Sequence, residues 1–255
     1  MKSVVVVLLS LFALNAVHAS DLIRALPSWK DRSYKLHIPP RTRGPIPLVL
    51  AIHGAGGNWQ SQERLTCPGG DLTNSKCLNA LADRMGVAVV YPNGTGALDA
   101  CKQDPKWCEF RTWNAGGGTL GFSCVGGYAC EHQIDDVAYF KDLIADVRTL
   151  VSIDSSRIFA TGISNGAAMS FRLACEMSEQ IAAIAPVAGG NQFLPAGNCR
   201  PKRAISLLQI HGSADGTWPY YGGASNLGVV GLMFSIQGSV LHWLQVNGCN
   251  PGAGK

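Results

Sequence analysis

Several features are missing from this sequence. It has no cluster of Lys or Arg: 21 basic residues stand against 17 acidic ones, and the formal net charge of +4 is spread over 255 residues. That mild excess leaves no electrostatic footprint for nucleic acid. There is no C-x-x-C and no H-E-x-x-H, so these two metal-ligand spacings are absent and neither a metal nor a cofactor is implied. Beyond residue 19 no apolar run is long enough to cross a bilayer. Internal repeats, low-complexity tracts and domain linkers are also lacking, which argues for one domain rather than an array.

What is present begins with a leader. Lys2 supplies a positive start, Val4 to Leu14 is apolar apart from Ser10, and Val17-His18-Ala19 is a small-residue cleavage site. Residues 1–19 therefore read as a secretory signal peptide, and 20–255 as a single domain of an exported, extracellular protein. Nine cysteines suit that compartment as disulfides. The expected pairs are the local loops Cys67–Cys77, Cys101–Cys108 and Cys124–Cys130 and the clasp Cys175–Cys199. Cys249 is left single, with a partner expected beyond the end given. Asn93-Gly94-Thr95 is a glycosylation sequon.

Apolar runs alternate with amphipathic segments, which predicts an α/β fold with a mostly parallel central sheet and helices on both faces. Strands are expected at 34–38, 47–52, 87–91, 157–161, 181–187 and 205–210. Helices are expected at 75–85, stopped by Gly86, at 135–150, at 167–176, and at 235–246, closed by Asn247-Gly248. Asp135 and Asp136 sit in the first turn of their helix, where capping is the reading and a paired acid/base role the alternative. Residues 95–131 have no period and are rich in Gly, Cys and aromatics. A loop of that length is expected to be stapled or functional. Its aromatic residues form either a satellite core or a substrate cleft, and Trp113, together with Trp218 further on, is a candidate for the cleft.

The chemistry centres on Gly162-Ile163-Ser164-Asn165-Gly166. A G-x-S-x-G pattern between a buried strand and a helix is the nucleophile elbow of α/β-hydrolases, with Ser164 as nucleophile. The oxyanion hole of that architecture uses the N–H of the following residue, Asn165, and an N–H from the loop after an earlier strand. Here that loop is His53-Gly54-Ala55-Gly56-Gly57, with Ala55 or Gly56 as donor. Asp215 follows a strand at the same sheet edge and takes the acid position in the order Ser, Asp, His. No histidine is well placed as the base. His242 lies within a helix, His53 and His211 end strands and hold loop backbone, and His37 and His132 have no evident partner.

Thr161-Gly162-Ile163-Ser164-Asn165-Gly166, Leu173-Ala174-Cys175, Ala182 to Gly189, His53 to Gly57, Trp113 to Gly116, Asp135-Asp136-Val137, His211 to Asp215 and Asn247-Gly248-Cys249 together resemble the secreted feruloyl esterases and polyhydroxybutyrate depolymerases. The resemblance implies an α/β-hydrolase esterase in which Ser164 and Asp215 are catalytic. It also implies a further strand and a histidine-bearing loop after Asn-Gly-Cys, so the chain is expected to be truncated at its C-terminus, with its catalytic His beyond Lys255. Leu-Ala-Cys and the Cys- and Trp-bearing loop favour feruloyl esters of plant cell-wall xylan. Acetylxylan or a polyester is the alternative substrate, and a non-catalytic polysaccharide-binding fragment is the alternative from another class.

Overall fold

The computed structural model describes residues 19–250 apart from 41, 43, 97 and 198, and without the side chains of 98–100, 106 and 107. The expected leader thus lies outside the described residues except for Ala19. Seven strands form the central sheet: β1 (Ser20–Ala25), β2 (Ser33–Ile38), β3 (Ile46–Ile52), β4 (Ala88–Pro92), β5 (Ile153–Ile163), β6 (Ile181–Val187) and β7 (Ser206–Leu207). Their order is β1-β2-β4-β3-β5-β6-β7. β3 to β7 run parallel, while β1 and β2 pair antiparallel at one edge. This is the α/β-hydrolase fold, carried by a mixed, mostly parallel sheet.

Five longer helices flank it: α1 (Trp59–Leu65), α2 (Leu78–Met85), α3 (Asp136–Leu150), α4 (Asn165–Glu176) and α5 (Ile236–Val246). Successive side chains of a strand point to opposite faces, so each parallel strand supplies two cores. Leu48, Leu50 and Ile52 of β3 join the main cluster with Phe140, Ile144, Phe171 and Trp243 from α3, α4 and α5. Ala51 faces the other way and joins Ala82, Val89 and Tyr91, with Val49, Trp59 and Leu78 packed against them.

Element boundaries follow local chemistry where a cap exists. Gly86 ends α2 with φ 67°, and Ser235 starts α5 by accepting from the Gly238 N–H. The helix expected from Ser75 begins only at Leu78, because the Cys67–Cys77 bond holds the preceding turn. All four expected disulfides are formed, and Cys249 is single and exposed.

Three expectations need correction. Residues 95–131 are not structureless: Thr95–Gly96 pairs with Arg111–Thr112, and short helical turns occupy Leu98–Gln103, Pro105–Glu109 and Tyr128–Glu131. Asp135 caps α3 through the Ala138 N–H, but Asp136 points into the core and pairs with Arg32 at 2.7 Å, both fully buried. Asn93 is buried, its side-chain Oδ1 accepting from the Trp59 N–H and its Nδ2 donating to Ser33 Oγ, so the sequon has no room for a glycan on the folded chain.

Candidate active site

Strand β5 ends at Ile163 and α4 begins at Asn165, leaving a single residue to make the turn. That residue, Ser164, adopts φ 54° and ψ −117°, a region that costs a non-glycine residue about 1–3 kcal/mol. The neighbouring glycines make the conformation possible. A Cβ on Gly162 would lie 2.6 Å from the Gly166 carbonyl, and one on Gly166 would run into the Ile52 carbonyl oxygen. Helix α4 can therefore cross β3 only with hydrogen at both positions. The Ser164 N–H donates to the Val187 carbonyl. Its hydroxyl makes no helix-capping bond, and the half-buried residue opens onto a cavity of about 900 Å³.

The walls of that cavity are largely apolar, formed by Phe110, Phe122, Val125, Trp218, Met233 and the 227–231 stretch, with Ala55 and Ser164 at the base of the elbow. Glu131 is the one charged side chain among the described lining residues, and no histidine is among them.

The loop after β3 comes close to Ser164: a Cβ on Gly54 would sit 3.5 Å from Ser164 Cβ. Of the two candidate donors in this loop, the Gly56 N–H is already given to the Arg111 carbonyl at 2.8 Å. Ala55 lines the cavity beside Ser164. As the first residue of α4, Asn165 has an N–H that no preceding turn of helix takes up.

Asp215 lies on the turn after β7, with its carboxylate 19% exposed. Its Oδ1 accepts from the Thr217 N–H at 2.8 Å and the Trp218 N–H at 2.9 Å. Thr217 and Trp218 themselves line the cavity onto which Ser164 opens, so Asp215 is bonded to two residues of its lining. Its Oδ2 is 3.6 Å from His211 Nε2, which donates to the Trp218 carbonyl at 2.8 Å.

The other described histidines lie outside the cavity lining. His53 Nε2 accepts from the Gly94 N–H and its Nδ1–H donates to the Gly54 carbonyl. Complete burial, and to a smaller degree the charges of Arg32 and Arg111, push its pKa down to about 3, so it is neutral. His242 lies on α5 beside Trp243, and burial lowers its pKa. The expectation that His37 and His132 lack partners is corrected: His37 is held between Asp21 and Asp83, and His132 bonds the Tyr128 carbonyl.

The two candidate cleft tryptophans separate. Trp218 touches the cavity. Trp113 does not, and its expected place in the cleft is corrected: it is fully buried against His53, Tyr139 and Phe140, and its Nε1–H donates to the His53 carbonyl at 2.9 Å. Sequence reasoning missed this because a tryptophan in a Gly- and Cys-rich loop carries no periodicity to show which way it faces.

Comparison with known proteins places this geometry. No family model matches the chain. Over 170 residues it is 29% identical to feruloyl esterase B of Piromyces equi, covering 65% of this chain and 31% of that protein. Over 196 residues it is 28% identical to the putative esterase NocK of Nocardia uniformis subsp. tsuyamanensis, covering 76% and 48%. The chain thus spans about a third and about half of the lengths of these two relatives. Among solved structures, native pOPH superposes with a TM-score of 0.53 at 17% identity, over 83% of this chain and 71% of that one. In sequence the chain is similar to these two esterases, and in fold it is similar to pOPH.

Proposed function

We propose that the chain is a secreted serine carboxylesterase acting on feruloyl (hydroxycinnamoyl) esters of plant cell-wall xylan. The observation that carries the proposal is Ser164, held at φ 54° on a one-residue turn and opening onto a large apolar cavity. In this reading Ser164 Oγ attacks the ester carbonyl and gives its proton to a general base, the role a histidine oriented by an acid such as Asp215 fills in a Ser-His-Asp triad. The oxyanion is met by the N–H groups of Asn165 and Ala55. The alcohol leaves, and water then releases the acid from the acyl-enzyme.

The cavity favours an aryl acyl group over acetyl. Phe110, Phe122 and Trp218 offer flat apolar walls, and an acetyl group would fill little of about 900 Å³. The feruloyl esterase likeness supports the same choice. Export is supported by the four disulfides and by the leader-like residues 1–19.

A second reading, polyester depolymerisation, is favoured by apolar side chains left exposed near the mouth: Leu227 is 67% and Val230 93% exposed. A fluorophosphonate probe combined with an ester panel decides between them. The expected result is labelling of the wild-type protein that Ser164→Ala abolishes, with turnover of methyl ferulate well above that of acetylxylan or polyhydroxybutyrate film. Labelling that survives Ser164→Ala sinks the serine-esterase reading. Binding of xylan with neither labelling nor turnover points instead to a non-catalytic binder.

A further inference from the structure

Residues 111–114 touch both halves of the candidate oxyanion hole and line up to fix the distance between them. On the elbow side, the Asn165 side chain forms a closed pair with the main chain of Trp113: the Trp113 N–H donates to Asn165 Oδ1 at 2.8 Å, and Asn165 Nδ2 donates to the Trp113 carbonyl at 3.0 Å. On the loop side there are two more bonds. Trp113 Nε1–H donates to the His53 carbonyl at 2.9 Å, and the Gly56 N–H donates to the Arg111 carbonyl at 2.8 Å. Ala55, whose N–H is the other oxyanion donor, lies between those two anchored residues.

The segment is itself held from behind. The Asn114 N–H donates to Asp136 Oδ2 at 2.6 Å, Asp136 pairs with the buried Arg32, and Arg172 on α4 donates to the Asn114 carbonyl at 2.6 Å. Arg32 in turn lies over the rings of Trp29, Trp113 and Tyr139. Trp113 and Asn165 are both fully buried, so water cannot replace the bonds between them, and a shift of the segment moves the donors with it.

We propose that residues 111–114 form a strap that sets the spacing of the two oxyanion donors, with Trp113 and the side chain of Asn165 as positioning residues. The inference rests on the serine-esterase reading of the site, because it concerns where that reading puts the developing negative charge. Such residues act on the transition state, where a displaced donor fails, and have little effect on ground-state binding.

Two conservative variants test it in the full-length protein. Trp113→Phe keeps the ring but loses the bond to the His53 carbonyl. Asn165→Asp keeps the acceptor for the Trp113 N–H but turns a carboxylate oxygen towards the Trp113 carbonyl. Trp113→Phe is expected to lower kcat about tenfold, and Asn165→Asp about a hundredfold at pH 8, the range a small misplacement produces, with KM within about twofold. Affinity for an arylboronic acid, which forms a tetrahedral adduct on the serine, should fall in proportion to kcat, while inhibition by free ferulic acid stays unchanged. The activity of Asn165→Asp relative to wild type should recover as the pH falls from 8 to 5, because a protonated carboxyl can again donate to the Trp113 carbonyl.

Variants that bind the boronate as tightly as wild type, or whose loss falls on KM alone, overturn the strap. A wild-type protein that binds no boronate and cleaves no ester overturns the serine-esterase reading itself, and that failure is visible before any variant is made.

Discussion

Two buried histidines, each on or just past a strand of the same sheet, have been put to opposite uses. His37 on β2 lies between two carboxylates, Asp21 on β1 at 2.8 Å and Asp83 on α2 at 2.9 Å. Lys35, on the same strand, bridges Asp21 and Glu63 of α1. Burial alone would lower the His37 pKa, but the hydrogen bonds to Asp21 and Asp83 outweigh it and hold the ring above its ordinary value. His53 just past β3 has no carboxylate. It accepts from a backbone N–H, and burial drives its pKa down to about 3. One ring is a tether for the edge strand whose charged form the two carboxylates favour, and the other is a neutral post behind the candidate oxyanion loop. Both residues are at most 5% exposed, but His53 lies the deeper of the two, and only His37 has carboxylate partners that offset burial.

The two rings give the protein opposite pH dependences. His53 binds its proton in the unfolded chain near pH 6.5 but in the folded chain only near pH 3. Its contribution is therefore complete above about pH 6.5 and is lost as the pH falls, at up to about 1.4 kcal/mol per unit. The raised pKa of His37 contributes stability that is complete below its unfolded value and is lost as the pH rises through the folded one. Asp21, drawn down to about 2 chiefly by its hydrogen bond with His37 and further by Lys35, adds stability above its ordinary pKa that is lost as the pH falls through about 2.

The largest expected effect comes from removing the neutral ring. His53→Gln should cost about 2–3 kcal/mol at pH 7, from lost packing on Trp113 and a weakened bond to the Gly94 N–H. It should also flatten the acid side of the stability curve, measured by urea unfolding between pH 7 and 4. An acid slope identical to wild type would remove His53 from the account. Next, Asp83→Asn should lower the His37 pKa, so that NMR titration of its ring protons moves to lower pH and the alkaline loss of stability begins earlier. The smallest effect belongs to Asp21→Asn, at about 1 kcal/mol or less. Asp21 lies on a strand whose six residues are all exposed, and a pair of that kind is screened by water and salt. Its cost should shrink further in 1 M salt, whereas that of His53→Gln should not.

The same contrast explains what could be read in advance. The parallel strands were legible because burial on both faces leaves an apolar run, as in Leu48 to Ile52 and Ile181 to Val187. The elbow was legible because only glycine at 162 and 166 lets strand and helix approach so closely. β1 was not legible: Ser20 to Ala25 is exposed along its whole length, and nothing marks it as a strand except backbone pairing with β2. Trp113 and His37 were misjudged for a related reason. Their roles depend on His53, Asn165, Asp21 and Asp83, residues 16 to 60 positions away.

The sequence by itself determined the alternation of strands and helices and the turn that presents Ser164, because each follows from residues close together along the chain. Only the tertiary structure decided which tryptophan reaches the cavity, which loop N–H stays available beside the serine, and which buried histidine has carboxylates that favour its charged form. Those outcomes depend on which distant carboxylate, carbonyl or amide the fold brings to within 3 Å of each group, and spacing along the chain does not encode that.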